Sequence, residues 1–118
     1  MYYYSKTGNI RRFINKLSDK HCVKSVDGDL SANKPYILIT HTTGFGEIPK
    51  PVQEFLKLNS GLLMGVAVSG NTNWGSNFGR AGELIAIKYN VPLIMKFEMS
   101  GLASDVERFE LEVGKFEQ

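Results

Sequence analysis

At 118 residues the chain has room for one domain, residues 1–118 taken as a unit around a single core. Hydrophobic residues make up 42% and charged residues 22%, an ordinary globular balance, and a formal net charge of +2 is too small to argue for nucleic acid. No apolar run approaches the roughly 18 residues of a membrane span, no basic-then-apolar leader opens the chain, and Cys22 is alone, which excludes an internal disulfide and a multi-cysteine metal site. The expectation is a soluble, cytoplasmic protein.

The charge is unevenly spread. Lys6, Arg11, Arg12, Lys16, Lys20 and Lys24 crowd the first quarter, and Glu107, Glu110, Glu112 and Glu117 crowd the end. Two solvated helix faces would account for this, and so would a basic patch that meets an acidic partner protein.

In chain order, residues 2–4 form a short β-prone run of tyrosines, a thin filling for a central strand. Ile10, Phe13, Ile14 and Leu17 follow at the i, i+3, i+4, i+7 spacing of a helix. A weak strand lies near residues 21–26, and residues 36–40 (YILIT) form a continuous apolar strand. Pro49 and Pro51 open a helix carrying Val52, Phe55 and Leu56, since a missing N–H costs nothing in a first helical turn. Residues 62–68 are another apolar run. The pattern then predicts a helix over 76–89 with Phe78, Ala81, Ile85 and Tyr89 on one face, and a last strand over 91–97. Leu102, Val106, Phe109, Val113 and Phe116 step along a final helix. Apolar strands without alternation are buried on both faces, and strands alternating with helices make parallel βαβ units. The reading is an α/β three-layer sandwich: five parallel strands and four helices, doubly wound.

In such sheets ligands bind beyond the carboxyl ends of the strands, where the strand order reverses. Four loops lie there: residues 5–9 (SKTGN), 41–49 (HTTGFGEIP), 69–79 (SGNTNWGSNFG) and 98–101 (EMSG). In the first, Ser5 and Thr7 supply hydroxyls, Gly8 admits close approach, and the following helix start supplies free N–H groups, which together suit a phosphate. A plain Ser/Thr cap would use the same residues. The Gly-Lys-Ser/Thr ending of a Walker loop and the G-x-G-x-x-G fingerprint are both absent from this loop. In the second, Gly44 and Gly46 flank Phe45, so a peptide beside Gly44 could flip at low cost next to a flat ligand, or the glycines simply turn the chain. In the third, Trp74 offers an aromatic platform and Asn71 and Asn73 offer amides suited to a heterocycle edge; the alternative is a tryptophan folded back on the core.

Residues 5–9 resemble the phosphate loop of flavodoxins, Ser/Thr-x-Thr-Gly-x-Thr, with Ile10 in place of the last hydroxyl. The wider set is closer to the NrdI family, small flavodoxin-like FMN proteins that serve the class Ib ribonucleotide reductase. The matching segments are SKTGNIRRFI, PYILITHTTGFGEIPKPVQEFL, GVAVSGNTNWGSNFGRAGELIAIKYNVPLIMKFE and SGLASDVERF, and they cover most of the chain. The resemblance implies a flavodoxin-like sheet in the order 2-1-3-4-5. It implies that Ser5, Lys6, Thr7, Gly8, Asn9 and Ile10 surround the FMN phosphate. Thr42, Thr43, Gly44, Phe45 and Gly46 would line one side of the isoalloxazine, with a Gly44 peptide facing N5 and tuning its potential. Asn71, Asn73, Trp74 and Gly75 would close the other side, with Met99 and Ser100 near the ring rim.

The implied function is activation. Reduced FMN, recharged by a flavin or flavodoxin reductase, would react with dioxygen and supply a superoxide-type oxidant. That oxidant would assemble the dimanganese-tyrosyl radical cofactor of the reductase small subunit, with Lys6, Arg11 and Arg12 near the docking face. A generic short-chain flavodoxin that only carries electrons is the alternative, although such proteins are typically acidic and this chain is slightly basic. A phosphorylated receiver domain would need acids after strand one and an aspartate after strand three, where this chain has Ser5, Thr7 and Thr42. A nucleophilic hydrolase is disfavoured because His21 and Cys22 are strand neighbours and face opposite ways. Metal binding by two distant histidines is not expected.

Overall fold

The computed structural model describes residues 1–6, 8–17, 21, 23–26, 31–42 and 46–116, and all their side chains except those of Thr72, Trp74 and Ser76. Thr7, Cys22, Thr43, Gly44 and Phe45 lie outside the described residues.

Among the described residues five strands alternate with four α-helices: β1 Tyr2–Tyr3, α1 Asn9–Asn15, β2 Lys24–Ser25, β3 Tyr36–His41, α2 Lys50–Asn59, β4 Leu63–Gly70, α3 Arg80–Tyr89, β5 Leu93–Glu98 and α4 Ala103–Phe116. All strand pairs are parallel and the order is β2-β1-β3-β4-β5, the expected 2-1-3-4-5. Every strand therefore ends on one rim of the sheet. The order reverses between β1 and β3, which opens a crevice at that rim.

Alternating side chains of the central strands feed two cores. Tyr36, Leu38 and Val66 meet Val52, Phe55 and Leu56 of α2 and Ile85 of α3 on one face. Ile37, Ile39, Ala67, Met95 and Phe97 meet Ile10 and Phe13 of α1 and Phe109 and Val113 of α4 on the other. Phe13 anchors the second core, stacking on Phe97 at 4.1 Å and meeting Phe109 edge-on at 5.4 Å. β1 is as slight as three tyrosines suggest. It holds its central place by two-sided pairing, extended by main-chain bonds from Tyr4 to Ile39, from Lys24 to Met1 and from Val26 to Tyr3.

Three boundaries differ from expectation. The helix predicted over 76–89 begins at Arg80, because Gly79 takes a left-handed φ of 66° and breaks the run; Phe78 is therefore a loop residue. β5 starts at Leu93, and Val91 sits before it, packed on the first core. Leu102 precedes α4 and is 71% exposed, so the buried stripe of that helix runs through Phe109 and Val113, with Val106 and Phe116 partly buried beside them. The basic α1 and acidic α4 pack on the same sheet face, and His21 pairs with Glu110. No described helix is long and apolar enough to cross a membrane.

Candidate functional site

The four loops singled out from sequence leave from the same rim. After β1, the chain turns through Ser5 and Lys6 to Gly8, which caps α1 at φ 89°. The Gly8 N–H donates to Ser5 Oγ at 3.1 Å, so the serine holds the turn together and keeps its own proton to donate elsewhere. α1 has only seven residues and no acid in its first turn. The turn therefore offers local N–H and hydroxyl donors with no carboxylate beside them to repel an anion. Ile10 is 1% exposed, and its side chain belongs to the core; what it can present to a ligand is its main chain.

The first and last loops are stitched together. Asn9 Oδ1 accepts from Arg12 and from Ser100 Oγ, and Arg12 Nε donates to Ser100 Oγ at 3.0 Å. Lys16 Nζ donates to the carbonyls of Ser100, at 3.2 Å, and Gly101, at 2.9 Å. Met99 is held in a left-handed conformation, φ 53°, uncommon without glycine; its carbonyl accepts from Ser69 Oγ at 2.6 Å and its N–H donates to Gly70. Its side chain is 46% exposed on the rim and close to the Asn9 amide, whose nitrogen lies 3.8 Å from the sulfur.

The loops after β3 and β4 also approach each other. Thr42 is 4% exposed, and its Oγ1 accepts the Ala81 N–H at 3.3 Å, so this hydroxyl caps α3 from across the fold. Only its main chain is left to line a ligand. Gly46, at φ 105°, is packed so closely that a Cβ would lie 2.9 Å from Arg80 Cγ and 3.1 Å from Asn77 Oδ1. Asn71 Oδ1 accepts the Asn73 N–H at 2.9 Å, and Asn73 is itself exposed. Trp74 has its backbone in the short 3-10 segment Thr72–Asn77. Gly75, in that same segment, adopts φ 56° and ψ −125°, a region open essentially to glycine, and a Cβ there would meet nothing within 4 Å. Its backbone is bare toward solvent.

Sequence reasoning missed Lys96, Glu83 and Arg80. Lys96 on β5 donates to the Phe78 carbonyl at 3.1 Å and pairs with Glu83 of α3; Arg80 also reaches Glu83, at 3.7 Å. Arg80 and Glu83 are an i,i+3 pair on α3, but no local pattern links them to Lys96, which lies 13 residues from Glu83 and 18 from Phe78. His41 ends β3 beneath the rim and stacks on Tyr4 at 5.4 Å. Burial holds its imidazole pKa below the ordinary 6.5; a main-chain hydrogen bond with Tyr4 opposes this, and nearby Lys6 adds to it. A groove of about 510 Å³ lies there, walled by Tyr4, Lys6, His41, Glu47 and Lys50. Among the described residues no group of His, Cys, Asp and Glu could hold a metal ion.

The rim thus gathers hydroxyls, amides and main-chain N–H groups around exposed glycine backbone, with an indole supplied by the sequence at Trp74. Such a donor set suits a flat heterocycle with an anionic tail. A family model described as NrdI flavodoxin-like matches residues 1–111. The chain belongs to that family. It is 50% identical over 111 residues to "Protein NrdI" of Macrococcus caseolyticus (strain JCSC5402), covering 94% of this chain and 85% of the relative. The fold is also similar to a solved short-chain flavodoxin associated with a non-canonical PDU bacterial microcompartment. The TM-score is 0.74 at 19% identity, over 98% of this chain and 94% of that one. Membership of this flavodoxin-like family implies a flavin cofactor. The residues present fit a flavin: Gly75 leaves room for one, and the first turn offers an anion donors without acids.

Proposed function

We propose that the chain binds FMN at this rim and serves as activator of a class Ib ribonucleotide reductase. A flavin or flavodoxin reductase would supply electrons, and the oxidant would go to the manganese-loaded small subunit for assembly of its dimanganese-tyrosyl radical cofactor. The flavin, when bound and reduced, supplies the electron that turns dioxygen into superoxide; the protein supplies position, access and electrostatics.

The observation that carries this reading is the convergence of four loops at one rim in a member of this family. Ser5, Lys6, Thr7, Gly8, Asn9 and Ile10 hold the phosphate in this reading, chiefly by hydroxyl and main-chain donors. Thr42, Thr43, Gly44, Phe45 and Gly46 flank one side of the ring, the Gly44 peptide facing N5. Asn71, Asn73, Trp74 and Gly75 flank the other, and Met99 and Ser100 border its rim. The Arg12 and Lys16 contacts hold the Met99–Ser100 turn against α1, which keeps the phosphate end and the ring rim in fixed relation. Lys6 and Arg11 remain exposed near the same rim and favour approach of an acidic partner.

The test has two steps. Purified protein titrated with FMN should turn yellow and saturate at one equivalent; a colourless protein that ignores FMN defeats the reading. Air oxidation of the reduced holoprotein, with and without manganese-loaded small subunit, should then yield superoxide and tyrosyl radical. Electron transfer to a carrier partner with no radical formed would leave an electron-carrying flavodoxin instead.

A further inference from the structure

The loop between β4 and α3 is built without a ladder or an α-helix to hold it. Among the described groups its internal bonds are short-range: the Asn73 N–H donates to Asn71 Oδ1, and the Phe78 N–H to the Gly75 carbonyl. What ties its far end to the rest of the fold comes from β5. The Lys96 stem runs under Gly79 so closely that a Cβ there would lie 2.6 Å from Lys96 Cδ. Its ammonium then donates to the Phe78 carbonyl at 3.1 Å, pairs with Glu83 and lies 5.7 Å from the Phe78 ring centre. Lys96 is 27% exposed and Glu83 32%, so this pair is half-shielded from solvent. Glu83 also receives Arg80, whose own stem packs on Gly46 within the neighbouring loop. One chain of contacts, Phe78–Lys96–Glu83–Arg80–Gly46, thus spans the two loops after β3 and β4.

We infer that Lys96 is a positioning residue: through Phe78 and Glu83 it fixes the 71–79 loop and the gap between that loop and Gly46. A charge-assisted bond to a carbonyl is worth more than a neutral one, and a half-buried ammonium with two acceptors has little reason to leave. The consequence for ligand affinity rests on the flavin reading above; the consequence for the loop itself does not.

The chain has a single tryptophan, Trp74, and it lies in this loop, so its emission reports on the loop in the ligand-free protein. Lys96→Met keeps the stem and removes the charge and the donors. The expected result is native circular dichroism, clearly greater acrylamide quenching of Trp74 than in wild type, and FMN binding weakened about tenfold. Lys96→Arg should restore both readouts in large part. Unchanged quenching together with unchanged FMN affinity in Lys96→Met would overturn the inference. Should Lys96→Met fail to fold, Glu83→Gln is read in the same way. It removes the counter-charge and leaves the carbonyl partner, so an intermediate rise in quenching is expected and wild-type quenching overturns the inference. If wild type itself binds no FMN, the flavin reading falls, and the quenching series still decides the role of Lys96.

Discussion

At the end where the strands begin, Asn59 is 7% exposed and its polar atoms stay inside the fold: its amide donates to the Phe55 carbonyl and its oxygen accepts the Ala32 N–H, while Tyr36 donates to its main-chain carbonyl. At the end where the strands finish, Asn73 is exposed and the Asn71 side chain accepts only the nearby Asn73 N–H among the described contacts. The backbone follows the same division. Of the described residues with positive φ, Gly8, Gly46, Gly75, Gly79, Gly101 and Met99 lie at the finishing rim, against Asn90 at the other. Polar groups at one end hold the molecule together. At the other end, turns that glycine enters freely, and Met99 at a cost, reverse the chain between polar contacts such as Ser69 to Met99, and leave Asn73 and the Gly75 backbone exposed.

The sharpest test of the finishing rim is Gly101→Ala. Its φ is 76°, and the new Cβ would lie 2.7 Å from Phe13 Cδ1, on a ring that is fully buried against Phe97. Backbone strain and overpacking together should cost about 3 kcal/mol in urea unfolding; a loss under half of that would mean the rim can relax. Next comes the opposite end. Asn59→Leu removes the acceptor of the half-buried Ala32 N–H and the donor to the buried Phe55 carbonyl, and should cost about 2 kcal/mol, with FMN affinity unchanged. A matching drop in affinity would dissolve the division between the two ends.

Gly75→Ala should behave the other way. Only backbone conformation opposes the methyl, since nothing lies within 4 Å of it, so stability falls by about 1 kcal/mol. FMN affinity, measured by fluorescence titration, should fall further than stability does if the proposed site is right, because that site places the altered peptide beside the ring. The smallest effect is that of pH. His41 has a folded-state pKa below 6.5, so the unfolded chain takes up that proton first on acidification. Its contribution to stability is intact above 6.5 and is lost as pH falls below it. His41→Phe should flatten the decline in urea midpoint between about pH 7.5 and about pH 5.5; an unchanged slope would assign the decline to other groups.

Much of the fold was legible because burial leaves long signatures. β3 and β4 have apolar side chains on both faces and read as unbroken runs, and α1 shows its buried Ile10 and Phe13 at helical spacing. The errors fell where one residue's backbone state decides. Nothing in the spacing of Phe78, Ala81, Ile85 and Tyr89 says that Gly79 will turn left-handed and start the helix at Arg80. Leu102 fits the apolar stripe of α4 in spacing, yet it precedes the first turn and points to solvent. Within the candidate site, the loops were legible from their clustered Gly, Ser, Thr and Asn, whereas the individual duties were not. Nothing in the sequence around Thr42 says that its hydroxyl will accept the Ala81 N–H at the start of α3.

Local order along the chain was enough to establish the alternation of strands and helices, the family motifs and the loops that carry them, because periodicity and turn chemistry act over a few neighbouring residues. Which cation holds which carbonyl was decided only in three dimensions. Lys96 lies 18 residues from Phe78, and Arg12 lies 88 from Ser100. A parallel sheet brings such residues to one rim by stacking strands whose connections pass over its faces, and hydrogen bonds of about 3 Å form only after that stacking is complete.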